Sequence, residues 1–158
     1  MSQTMFLGST VQCTDGKGGS VQGLVCDPSS NRLEYLVVHR GLFGGHNHTV
    51  PASVVQTATP LAVLLTLNTD ELKQLSDVEA KVPGTGIVQR SIPDHCVILS
   101  ADTPITDADG TLIGRFQGVV VDSMHQITSI LPTDAGPTEI PIEQLTACSE
   151  TGLTVQRT

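Results

Sequence analysis

The chain has no tryptophan, one tyrosine and three phenylalanines among its 158 residues. Its interior therefore has to be filled by valine, leucine, isoleucine and alanine, a composition that suits a pleated, half-buried surface. Basic residues are equally scarce: 8 Lys and Arg stand against 16 Asp and Glu, a formal charge of -8. A field of that sign repels phosphate backbones and anionic headgroups, which excludes a general nucleic-acid partner and charge-driven attachment to a bilayer. No apolar run approaches the roughly 18 residues a membrane helix needs. The longest, Leu61 to Leu67, is already interrupted by Thr66. The first seven residues lack a basic region leading into a sustained apolar stretch, so no secretory leader and no direct membrane insertion are expected. Cys13, Cys26, Cys96 and Cys148 form no CxxC pair. Free, mostly buried thiols in a reducing compartment are the expectation, and cytoplasmic residence with it.

What the chain does have is enough apolar material to fold, 39% hydrophobic against 15% charged residues, and an internal repeat. Thr10-Val11-Gln12-Cys13-Thr14-Asp15-Gly16 is matched by Thr103-Pro104-Ile105-Thr106-Asp107-Ala108-Asp109-Gly110, each an extended stretch closing on Asp-Gly. Val21-Gln22-Gly23-Leu24-Val25-Cys26-Asp27 corresponds to Phe116-Gln117-Gly118-Val119-Val120-Val121-Asp122, with Gln-Gly, three apolar residues and Asp in the same order. Leu33 to Val38 matches Ile127 to Leu131 after turn-prone connectors, which predicts a second hairpin. Thr49-Val50-Pro51 and Val55 align with Glu139-Ile140-Pro141 and Leu145, and each copy ends in a short apolar run, Leu61 to Leu67 or Leu153 to Val155. A repeat of short, turn-bounded, β-branched segments predicts an all-β protein of two tandem small antiparallel β-barrels, the form that leaves few free edges.

The organisation expected is a first repeat over 5–80, an extended linker over 81–96 and a second repeat over 97–158. Within the first lies a short helix near 69–76, started by Asn68 or Thr69 as cap with acids in its first turn. The linker, Val82 to Pro93, is too rich in Pro and Gly to hold a helix. Several strands are apolar on both faces, Leu24-Val25-Cys26 and Tyr35 to Val38 among them. Their inner set fills a barrel, and their outer set calls for a cover. Packing of one copy against the other with pseudo-twofold symmetry is the expected cover.

The segments Gly8-Ser9-Thr10-Val11, Asp15-Gly16, Gly23 to Asp27, Leu33 to Val38 and Val50-Pro51-Ala52-Ser53-Val54-Val55 together resemble the PRC-barrel family. The second copy resembles it through Asp109-Gly110, Leu112-Ile113-Gly114, Val119 to Asp122, Ile127 to Leu131 and Ile140-Pro141. That family is similar to the cytoplasmic part of the photosynthetic reaction-centre H subunit and to the C-terminal domain of a ribosome-maturation factor. The resemblance implies a protein-docking barrel without catalysis: a scaffold or assembly module associated with a larger complex, photosynthetic or other, or with further copies of itself as a homo-oligomer.

Candidate chemistry concentrates in one loop. Gly44-Gly45-His46-Asn47-His48, with His39 before it, offers paired imidazoles at a spacing that places both on one side of an extended segment. Two ligands do not make a site, and the second copy has Pro132-Thr133-Asp134-Ala135-Gly136-Pro137 instead. No metal and no cofactor are therefore expected. A small metal- or ligand-binding protein using His46 and His48 is the alternative function. Leu42 and Phe43, apolar residues between glycines in the same loop, are the candidate partner contacts. Asp15-Gly16-Lys17-Gly18-Gly19 lacks the spacing of a phosphate loop, and Asp107 to Thr111 lacks the distal Glu of a calcium loop. Cys96 follows His95 directly, but neighbours on an extended chain point apart, so no nucleophile-base pair and no enzyme are expected.

Overall fold

The computed structural model describes residues 3–40, 46–75, 79–81, 88–90, 92–93, 95–133, 139–149 and 151–156. In chain order, the first half carries β1 (Gln3–Phe6), β2 (Thr10–Cys13), β3 (Gly16–Asp27), β4 (Arg32–Arg40), β5 (His46–Pro51), β6 (Val55–Ala58) and β7 (Ala62–Leu65), followed by helix α1 (Thr69–Lys73). A small antiparallel ladder, β8 (Glu79–Lys81) with β9 (Val88–Arg90), lies in the stretch expected to be a plain extended connector. The second half carries β10 (Val97–Leu99), β11 (Pro104–Asp107), β12 (Leu112–Val121), β13 (Ile127–Pro132), β14 (Ile140–Pro141), β15 (Leu145–Ser149) and β16 (Gly152–Val155).

The strands assemble into two seven-stranded sheets, ordered β5-β4-β3-β2-β7-β6 and β14-β13-β12-β11-β16-β15. Neither path returns to its first strand, so each sheet is open. Each also holds one parallel pair, β2 with β7 and β11 with β16, where an all-antiparallel arrangement was expected. The repeat extends to irregularities. The ladder register shifts at Val21/Gly23 between β3 and β4 and at Phe116/Gly118 between β12 and β13, and again at Val25/Cys26 and Val120/Val121. A bulge bends its strand and increases the local twist: the first shift places its extra residue, Gln22 or Gln117, on the longest strand of each half, and the second places it on the partner strand, Glu34 on β4 or Thr128 on β13. A 3-10 turn follows the Pro in each half, at Ala52–Val54 and Ile142–Gln144.

The seventh strand of each sheet comes from the other half of the chain. β1 pairs with β12, placing Met5 opposite Val119, and β10 pairs with β3, placing Leu99 opposite Leu24. The sheets thus interleave the segments 5–80 and 97–158 instead of coinciding with them. The glycine of each Gln-Gly pair makes this insertion feasible. A Cβ on Gly118 would stand 2.2 Å from the Met5 carbonyl oxygen, and one on Gly23 would stand 3.1 Å from that of Leu99. A pair of hydrogen bonds joins the halves elsewhere with the same reciprocity. Leu33 N donates to the His125 carbonyl and Ile127 N to the Asn31 carbonyl, both at 2.9 Å. Asn31 and His125 both have positive φ, 55° and 63°, a conformation in which Asn, Asp and His are enriched among non-glycine residues.

The inward side chains of both halves fuse into one core, in which Met5, Val11, Leu36, Val63, Phe116, Val119, Leu153 and Val155 are fully buried. Burial on that scale is the dominant favourable term in folding. The outer face of β3 and β4 is covered differently from expectation. Val25 and Val37 pack with Ile92, Cys96, Tyr35 and Ile98. Ile92 and Cys96 of the connector and Ile98 of β10 therefore cover that face. Helix α1 is started by Asn68, whose side chain accepts from Glu71 N while the Glu71 carboxylate accepts from Asn68 N. Its Leu72 is buried above Gly18 and Cys13, at one end of the first sheet.

Candidate functional site

Leu42, Phe43, Gly44 and Gly45, the apolar and glycine residues of the loop singled out above, lie outside the described residues. His46 opens β5, and His48 follows two residues later on the same strand, paired with Val38. His48 is buried. Its Nδ1 donates to the Leu75 carbonyl at 3.0 Å, and its Nε2 accepts from Arg40 Nε at 3.3 Å. With both ring nitrogens engaged, His48 ties the segment after α1 to strands β4 and β5. Its imidazole could bind a metal only by giving up one of these bonds. His39, on β4, bonds to Asn47 across the strand pair, with Nδ1 2.7 Å from Asn47 Oδ1.

The remaining candidate chemistry is spread apart. His95 is exposed and lies 3.9 Å from Asp27 Oδ2. Its neighbour Cys96 is buried, and desolvation together with the charges of Asp27 and Glu34 pushes its thiol above the usual range, the opposite of an activated nucleophile. Asp107 Oδ1 accepts from Asp109 N at 2.9 Å and Thr111 N at 3.0 Å, so this carboxylate closes the β11–β12 turn. Asp15 accepts from Thr69 N at 2.8 Å and from Thr69 Oγ1 at 3.1 Å. The backbone bond from Thr69 is the main reason its carboxyl is held below the ordinary value. Among the described residues no group of three or more His, Cys, Asp or Glu is arranged to hold a metal ion.

Two juxtapositions were not legible in the sequence. The first is a shallow groove of about 260 Å³ where the halves meet, lined by Arg32, Glu34, Tyr35, Pro51 and Ser53 from the first half and His125 from the second. His125 Nδ1 is buried and has no hydrogen-bond partner among the described residues. The second brings Cys26, on β3, to Cys148, on β15, with the sulfurs 3.9 Å apart across 122 positions of sequence. Spacing could not reveal either one.

Large apolar side chains reach water at a few hairpins. Leu61, between β6 and β7, is 84% exposed, and Leu64, on the outer face of β7, is 40% exposed. The turn presenting Leu61 is pinned by Thr59, whose Oγ1 accepts from Leu61 N and Ala62 N while its own N donates to the Ala62 carbonyl. No described helix is long and apolar enough to cross a membrane. No family model matches this chain, and the curated proteins contain no match to it.

Proposed function

We propose that this chain is a cytoplasmic, non-catalytic binding or assembly module of the PRC-barrel type, whose two halves act as one docking body for another protein or for a second copy of the chain. The matched strands, bulges and Pro-initiated 3-10 turns of the two halves support the internal repeat on which this reading builds.

The observation that carries the docking reading is the Leu61–Leu64 hairpin. A leucine held out in water by a turn with three hydrogen bonds is already ordered, so covering it costs little conformational entropy. Leu64, on the same hairpin, widens the apolar contact, and an apolar centre within a polar rim is the usual anatomy of an interface. Leu42 and Phe43 are proposed as a second contact of the same kind.

The test is light scattering coupled to size exclusion on the full chain, together with affinity capture using the chain as bait. An assembly is expected that Leu61→Asp with Leu64→Asp weakens at least tenfold while the melting temperature stays unchanged. A monomer at every concentration with no captured partner overturns the reading, as does an assembly indifferent to both substitutions.

A further inference from the structure

We propose that Cys26 and Cys148 form a peroxide-sensitive thiol pair, a redox modification site that closes into an intrachain disulfide and locks the two halves of the molecule together. The proposal does not depend on the docking reading.

Geometry carries it. The sulfurs are 3.9 Å apart, and a disulfide requires about 2.05 Å, so one sulfur has to travel roughly 2 Å. The two strands are suited to unequal roles. Cys26 is fixed in the middle of its sheet, with Leu33 of β4 on one side and Val97 of β10 on the other. Cys148 lies on β15, at the end of its sheet's strand order and, among the described strands, paired with β16 alone. An edge strand can shift toward a neighbour at the loss of fewer hydrogen bonds than a central one. Cys26 is buried, whereas Cys148 is half-exposed and open to a small oxidant.

The chemistry of the pair has the same asymmetry. Either thiol can donate across this contact; with the Cys26 S–H as donor, the bond holds the Cys148 thiol below the ordinary value. That same bond, followed by burial, pushes Cys26 up. Burial also raises Cys13 and Cys96, with nearby carboxylates adding to it. Cys148 is thus the thiol with most thiolate character, and the thiolate is the nucleophile.

Hydrogen peroxide is the oxidant. The Cys148 thiolate attacks one peroxide oxygen, the O–O bond breaks, and the departing hydroxide takes a proton to become water, leaving a sulfenic acid at Cys148. The Cys26 sulfur then attacks the Cys148 sulfur and the S–O bond breaks. The leaving hydroxide takes the Cys26 proton and departs as a second water. Two thiols and one peroxide become one disulfide and two waters. Because the bond closes a loop of 122 positions, it removes much freedom from the unfolded chain.

The test treats the full chain with a small molar excess of hydrogen peroxide, alkylates the remaining thiols and maps the cysteines by mass spectrometry under non-reducing conditions. The expected result is a crosslink between the Cys26 and Cys148 peptides with Cys13 and Cys96 alkylated, and a melting temperature higher by roughly 5–15 °C that dithiothreitol reverses. Cys26→Ser is expected to leave a dimedone-reactive sulfenic acid at Cys148, and Cys148→Ser to leave Cys26 reduced. The mapping on the unsubstituted chain stands by itself if either variant fails to fold. Four alkylated thiols after peroxide, or a crosslink joining any other pair, overturns the proposal. The expected crosslink with no change in melting temperature overturns the locking role.

Discussion

The two halves of this molecule share a backbone frame but differ in what is attached to it. Each has a long bent strand, β3 or β12, with register shifts at corresponding positions. Each accepts a short strand from the other, and each continues its Pro-bearing strand into a 3-10 turn. Among the described residues, the first half adds helix α1, the Asp15 tie to Thr69, the His48 tie to Leu75 and, over Val25 and Val37, a cover from Ile92 and Cys96 that the second half does not repeat. In the second half the strand corresponding to the six-residue β5 has only two residues. The shared strand exchange and register shifts lie where one backbone passes close to another. The differences lie on outer faces and at sheet ends, where solvent or added chain can fill the space. Duplication therefore preserved the inner frame and left the periphery free to acquire distinct contacts.

The exchanged strands give the largest expected effect. Met5→Ala and Leu99→Ala should each cost about 2–5 kcal/mol by deleting a fully buried side chain from the core. Each should loosen the half that does not encode it. Hydrogen exchange is expected to rise at Val119 and Val121 in Met5→Ala, and at Leu24 and Cys26 in Leu99→Ala. Faster exchange confined to the encoding half would contradict the interleaved sheets.

Next come the paired glycines. Gly118→Ala drives a methyl into the Met5 carbonyl and should cost about 3 kcal/mol, at the upper end of overpacking. Gly23→Ala meets the Leu99 carbonyl at 3.1 Å and should cost about 1 kcal/mol, within reach of a small backbone adjustment. Urea melts of the two variants give the comparison directly, and equal costs would mean that the two insertions are equally tight.

His48→Ala probes a contact of the first half. It removes the donor to the Leu75 carbonyl and the acceptor for Arg40, and should cost about 1–2 kcal/mol in the same melts. The smallest effect is the acid response of Asp15. Its carboxyl is held below the ordinary value in the folded state, so its contribution to stability is present above the unfolded carboxylate value of about 4 and is lost as pH falls through the folded one. Thermal melts between pH 6 and pH 3 should show the unsubstituted chain losing stability more steeply than Asp15→Asn. The carboxylate is exposed, so added salt should shrink the difference.

Particular residues show how far the sequence could be read. The Gln22-Gly23 and Gln117-Gly118 matches, the Asp-Gly turns and the aligned prolines mark the strands that the two halves share, since alternation and turn chemistry are local. A cap at Asn68 or Thr69 is likewise legible from the acids of the first turn, and the structure selects Asn68. The exchange of β1 and β10 is not legible. Met5 and Leu99 are ordinary apolar residues of short strands, and nothing in a pairwise repeat alignment says which copy's sheet they complete. His48 reads as a candidate ligand because ring chemistry is visible in sequence, whereas the Leu75 carbonyl and the Arg40 guanidinium that occupy it are brought there only by folding.

By itself the sequence determined the β-rich class, the duplication and the turn positions, because each follows from residue type and spacing within a few neighbours along the chain. Only the tertiary structure decided which strand enters which sheet, what covers the outer face of β3 and β4, and that Cys26 faces Cys148. Those depend on close approach between segments as much as 122 positions apart, and no local preference of the chain encodes such a distance.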